Sequence, residues 1–226
     1  MGRAIAAALA VFACVSPASG QHRAVVPAAT NDIVLDGFIQ PAEWAEAIRL
    51  GGGDVELLVQ EREEVLELAL RTPPVFVASL CFERGAEIHV LHSSSAVGSA
   101  TYRRSGDDWH LVQPFEWRLR GTDDVAASAE EQSDHMRRFG WVATTVVVGA
   151  PGETEFRVSA RFWEGGIARV AIGLLRQGHD PAVSGWPLGP GADGCTQRTT
   201  IAGPLTDRLR FATDGWIQLA LREGGG

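Results

Sequence analysis

The sequence predicts an all-β fold, an antiparallel β-sandwich of immunoglobulin-like or jelly-roll-like kind with one short N-terminal helix. Eight or nine apolar segments of strand length recur along the chain. Turn chemistry separates them, as at Arg84-Gly85, Ser105-Gly106-Asp107-Asp108, Pro151-Gly152 and Glu164-Gly165-Gly166. No long helical pattern alternates with them, as a parallel α/β sheet would require.

Taken in order, the chain opens with Arg3, the apolar run "AIAAALAVFACV" and "SPASG". Ala18 and Gly20 are small residues at the −3 and −1 positions of a cleavage site before Gln21, so residues 1–20 are expected to be a signal peptide. The run is too short for a permanent bilayer span, which predicts an exported protein, periplasmic or extracellular, without a transmembrane segment. A competing reading is a lipoprotein acylated at Cys14, although Phe12 stands where a small residue is expected.

Residues 21–31 form a polar lead-in, and residues 32–222 are expected to make a single sandwich domain. In "DIVLDGFIQPAEWAEAIRL" (32–50), Asp36-Gly37 turns the chain out of a first strand. Pro41 then suits the first position of a short helix, and Glu43 suits its N-terminal end. Trp44, Ala47 and Ile48 fall on one apolar face of that helix.

Strands follow at "VELLVQ" (55–60), "VLELAL" (65–70), "VFVASLCF" (75–82), "EIHVLH" (87–92), "WHLVQPFEWRLR" (109–120), "WVATTVVV" (141–148), "EFRVSARFW" (155–163), "IARVAIGLL" (167–175) and "WIQLAL" (216–221). Residues 93–99 read as a turn region, 123–138 as a polar, helix-tolerant surface excursion, and 177–206 as a long loop rich in Gly and Pro.

Charge narrows the partners. The 226-residue chain has a net charge of −8, and all 20 basic residues are arginine. Without a basic cluster it lacks the electrostatic footprint of a nucleic-acid or anionic-lipid binder. Once the signal peptide leaves, two cysteines remain, Cys81 and Cys195. In an oxidising compartment they are a candidate disulfide, and a simply buried Cys81 is the alternative.

Catalytic constellations are not visible. His89 and His92 stand three apart in a strand and so point to opposite faces. Ser93, Ser94 and Ser95 have no strand-to-helix elbow around them. Asp107-Asp108, Asp123-Asp124 and Glu130-Glu131 lie in turn or polar segments with nothing to pair them across a cleft. Loop acids of this kind leave Ca²⁺ binding open. An enzyme is therefore not expected.

Seven tryptophans against one tyrosine are the better clue, because indole faces stack on sugar rings. In "EFRVSARFW" strict alternation puts Phe156, Val158, Ala160 and Phe162 inside. It leaves Arg161 and Trp163 together on the polar face, where they would make a ligand platform. In "FEWRLR" the same test sends Trp117 inside. Trp186, in "VSGWPLG", could cap a cleft, and Trp109 follows a hairpin turn. The expected ligand-binding residues are Trp163, Arg161, Trp186 and Trp109.

"IVLDGFIQPAEWAEAIRL" resembles the first strand and helix of the family 9 carbohydrate-binding modules and their DOMON-like relatives, through Ile33, Leu35, Asp36, Gly37, Glu43, Trp44 and Ala47. "EFRVSARFW" with "IARVAIGLL", and "GWPLGPG" with "DGWIQLAL", are similar to the family's closing segments. The resemblance implies a β-sandwich whose relatives bind sugars, and in some DOMON-like cases haem. The expected function is that of an exported, non-catalytic binding module for a carbohydrate or glycoconjugate. Two alternatives stand beside it. One is an envelope structural or interaction protein that keeps the sandwich without a sugar site. The other is a haem-binding domain with His89, His92, His110 or Met136 as an axial ligand. No cofactor is otherwise expected.

Overall fold

A computed structural model describes residues 23–52, 55–74, 76–94, 96–116, 118–119, 128–145, 152–176, 182–189, 191, 193–197, 200–201 and 204–221. The expected signal peptide with Cys14, together with Ser95, Trp117 and Asp123-Asp124, lies outside the described residues.

In chain order the strands are β1 (Arg23–Val25), β2 (Ile48–Gly52), β3 (Val55–Arg62), β4 (Val65–Thr72), β5 (Phe76–Arg84), β6 (Glu87–Ser93), β7 (Ala96–Ser105) and β8 (Asp108–Gln113). They continue with β9 (Arg118–Leu119), β10 (Trp141–Thr145), β11 (Gly152–Ser159), β12 (Ile167–Arg176), β13 (Ala182–Trp186), β14 (Arg208–Leu209) and β15 (Ile217–Ala220). One helix, α1 (Ala129–Phe139), precedes β10.

The strands form two sheets. The larger runs β1-β15-β12-β5-β6-β7-β8-β14, with β13 beside β12 and β9 beside β7. The smaller runs β10-β11-β4-β3-β2. Pairing is antiparallel except between β1 and β15, which run parallel. The described residues thus form an all-β, two-sheet sandwich in which α1 is the one helix of several turns.

Period-two alternation builds the main core. Leu57 and Val59, Leu66, Leu68 and Leu70, and Phe156 and Val158 point inward from the small sheet. Leu80 and Phe82, Leu91, and Val170, Ile172 and Leu174 meet them from the large one. Both outer faces are covered as well. Residues 33–47 lie over the small sheet, enclosing Ile33, Ile39, Trp44, Leu58 and Ala69. Cys195, Phe211 and Trp216 close the large sheet's outer face around Tyr102 and Trp109.

Several elements differ from expectation. The largest addition is β7: "AVGSATYRRS" is dominated by small and polar residues and carries little hydrophobic period. Pairing to β6 and β8 makes it a strand nonetheless. β13 and β14 emerge from the Gly- and Pro-rich region in the same way, by pairing with β12 and β8. The helix lies at 129–139 and not after Pro41. It carries a capping box at Ser128 and Glu131, and left-handed Gly140 ends it. Residues 41–46 make successive turns, with Glu43 N–H and Trp44 N–H both donating to the Gln40 carbonyl. Ile48 accordingly begins β2 and packs against the main core, apart from Trp44.

Candidate functional site

The outward face of the small sheet carries Glu153, Glu155 and Arg157 from β11, Glu67 and Arg71 from β4, and Gln60 from β3. Alternation marks these as the polar face, where solvent is the default expectation. Residues 33–47 lie over this face instead: Glu155 is 0% and Glu67 1% exposed, and Arg71 and Arg157 are half-buried.

The covering strap between Ile33 and Ile39 pairs with no strand, so its backbone polar groups need other partners. Side chains supply them. Arg157 donates to the Ile33 carbonyl, and Val34 N–H donates to Glu43 Oε1 at 3.3 Å. Gln132 of α1 donates to the Leu35 carbonyl at 2.8 Å. Asp36 N–H and Gly37 N–H converge on Glu155 Oε2 at 3.2 and 2.9 Å. Ile39 N–H donates to Glu153 Oε2 at 3.0 Å, and Arg71 donates to the Ile39 carbonyl. Trp44 completes the set, its indole N–H reaching Glu155 Oε1 at 3.2 Å.

The charges are unevenly compensated. Glu153 pairs with Arg71 at 2.9 Å and Glu67 with Arg157 at 3.1 Å. Among the described residues no arginine pairs with Glu155 or Glu43. Burial pushes the Glu155 carboxyl up to about 7, and neighbouring Asp36 and Glu43 add to the shift. The N–H donors from Gly37 and Trp44 pull the other way without overturning it. Burial also raises Glu43, helped by Asp36 and opposed by Val34 N–H and Arg157. One Glu43 oxygen, Oε2, is buried without a hydrogen-bond partner.

The expected ligand platform does not assemble. Trp163 is buried in the main core at 9% exposure, because β11 stops at Ser159 and a 3₁₀ turn over Ala160–Phe162 breaks the alternation. Arg161 stays exposed, its guanidinium over the Phe162 ring. Trp109 is 1% exposed and packs edge-on against Phe211, on the large sheet's outer face. Trp186 is half-buried and lies near Gly52, at the end of the sandwich where Gly152 faces Thr72. Trp163 follows Ser159 at the opposite end. The three indoles therefore face no common groove. Trp44, Trp141 and Trp216 are also buried.

The chain matches no family model, no curated protein and no solved structure.

His89 and His92 do lie on opposite faces of β6. His89 packs edge-on against Phe162, while buried His92 bridges Ser79 and Ser94 hydroxyls, each at 3.0 Å. Ser79 and His92 are direct cross-strand partners, and this buried polar link joins β5 to β6. His110 is exposed on β8, and Met136 sits on α1. Asp108 pairs with Arg208, and Glu131 caps α1. Among the described residues no group of three or more His, Cys, Asp or Glu is arranged to hold a metal ion, and no helix is long and apolar enough to cross a membrane.

Cys81 and Cys195 form a disulfide, with Cα atoms 6.1 Å apart. It clips the 3₁₀ turn Gly194–Thr196 to the outer face of β5. Buried Asp193 reinforces it by accepting from Cys195 N–H at 2.7 Å, Trp216 Nε1–H at 3.2 Å and Ala212 N–H.

Sequence reasoning missed Glu153 and Glu155, because charged alternation normally marks a solvated face. The available signal was the apolar stretch "IVLDGFI", which has inward-facing residues but no pairing partner in its pattern.

Proposed function

We propose that the chain is an exported, non-catalytic interaction domain that keeps a sandwich framework resembling that of family 9 carbohydrate-binding modules. The observation that carries this reading is the burial of Trp44, Trp109, Trp141, Trp163 and Trp216, which spends on packing the indoles that a sugar platform would display. The ionisable side chains support it too. Glu153, Glu155 and Glu67 hold backbone and arginine partners in place, and His92 links two strands.

Trp186 favours a second reading, a module for a carbohydrate or glycoconjugate. Its indole is half-buried at one end of the sandwich, beside Gly52. A glycan array at millimolar ligand, followed by tryptophan fluorescence titration, separates the two readings. The interaction-domain reading expects no glycan to bind. Saturable binding that Trp186→Ala abolishes would replace it with the carbohydrate reading.

A further inference from the structure

The strap over the small sheet is held in an unusual way. An apolar cover would need only Ile33, Leu35, Ile39 and Trp44 pressed onto Leu58 and Ala69. Here a fully buried carboxyl group, Glu155, is placed directly beneath it, satisfied only by neutral N–H donors. Two further carboxyl groups, Asp36 and Glu43, come from the strap itself and act on Glu155 as like charges.

The available cations are committed elsewhere. Arg157 bonds Glu67 and the Ile33 carbonyl, while Arg71 bonds Glu153, Glu56 and the Ile39 carbonyl. From α1 the strap receives the neutral Gln132, while His135 packs against Phe139 and Trp141. Closing the strap therefore brings half-buried Asp36 and Glu43 up to fully buried Glu155, and opening it lets the three separate and hydrate.

We propose that residues 33–47 form a proton-controlled latch, closed while Glu155 beneath the strap and Glu43 within it retain a proton and loosened when both are ionised. The sign follows from linkage: the closed form binds protons more tightly than the open one, so rising pH favours opening. Opening uncovers Leu58 and Ala69 on the small sheet and frees the strap's own Trp44 from them.

Hydrogen exchange of the intact protein at pH 5.5 and pH 8.0, corrected for intrinsic rates, tests the latch. Protection of residues 33–47 is expected to fall about tenfold or more across that range, one pKa unit of linkage being a factor of ten. β5 and β12 should stay far better protected than the strap at both pH values, because the strap opens locally without unfolding the sheets. Glu155→Gln, which carries no proton to lose, should remove the pH difference, and Glu43→Gln should reduce it. Equal protection of the strap at both pH values would overturn the proposal. So would a pH difference that survives both substitutions, or strap protection as high as that of β5 and β12, which would mean that the strap opens only when the whole fold does. Should Glu155→Gln fail to fold, the wild-type comparison and Glu43→Gln decide.

Discussion

Trp44 donates its indole N–H to Glu155, 3.2 Å away and 111 residues later in the chain. That bond closes the N-terminal strap onto the small sheet. It joins the most patterned stretch of the sequence to a carboxyl group whose burial nothing local announces. Several measurements probe what the arrangement does.

Replacing Trp44 with Ala should destabilise the fold by roughly 3–5 kcal/mol, the usual cost of removing a large buried aromatic. Trp44→Phe keeps most of the packing but removes a donor from a buried carboxyl group, at about 1–3 kcal/mol. Urea denaturation should rank the three proteins in that order, and equal midpoints for both variants would contradict it.

Stability should depend on pH through Glu155. Burial lifts its folded-state pKa to about 7, above the ordinary carboxylate value of 4.5. The contribution is therefore complete below about pH 4.5 and is lost as pH rises through 7, amounting to about 3 kcal/mol. Raised Glu43 and Asp193 act in the same direction. Denaturation midpoints at pH 5 and pH 8 should show the loss, and Glu155→Gln should diminish it.

The disulfide spans 114 residues of sequence. Replacing both Cys81 and Cys195 with Ala should lower stability by about 4–5 kcal/mol on a chain-entropy estimate. A thermal melt of the double variant checks this, and an unchanged melting temperature would show that Asp193 and the surrounding core hold the segment unaided.

β3 and β4 are joined by Glu63 and Glu64, both in the left-handed region, at φ 52° and 63°. A two-residue hairpin of this kind prefers Asn-Gly. The double change Glu63→Asn and Glu64→Gly should stabilise the protein by roughly 1–2 kcal/mol, relieving a conformation that costs ordinary side chains about that much. Destabilisation in urea would mean that the glutamates make compensating contacts.

Trp163 and Trp186 should part company on substitution. Trp163→Ala is expected to cost roughly 3–5 kcal/mol because the indole fills the main core. Trp186→Ala, at a half-buried site, should cost clearly less. Parallel denaturation curves measure the difference.

The sequence by itself determined where most strands run, because side-chain alternation is a local property. Leu66, Leu68 and Leu70 declare their inward face without help from the rest of the chain. It also marked the turns at Arg84-Gly85 and Glu164-Gly165-Gly166, and the resistance of 128–138 to a strand reading. Tertiary structure decided whatever depends on partners distant in sequence. β7 is a strand because β6 and β8 offer it ladders on both sides. Trp163 is core because the strand before it stops four residues early, which no alternation rule can register. Cys81 and Cys195 pair because β5 meets the segment folded back over it. Glu155 looked solvated on the polar face of its strand, and it is buried because residues 33–47 lie across that face. Periodicity tells which side of a strand a residue occupies; only the packed chain determines what covers that side.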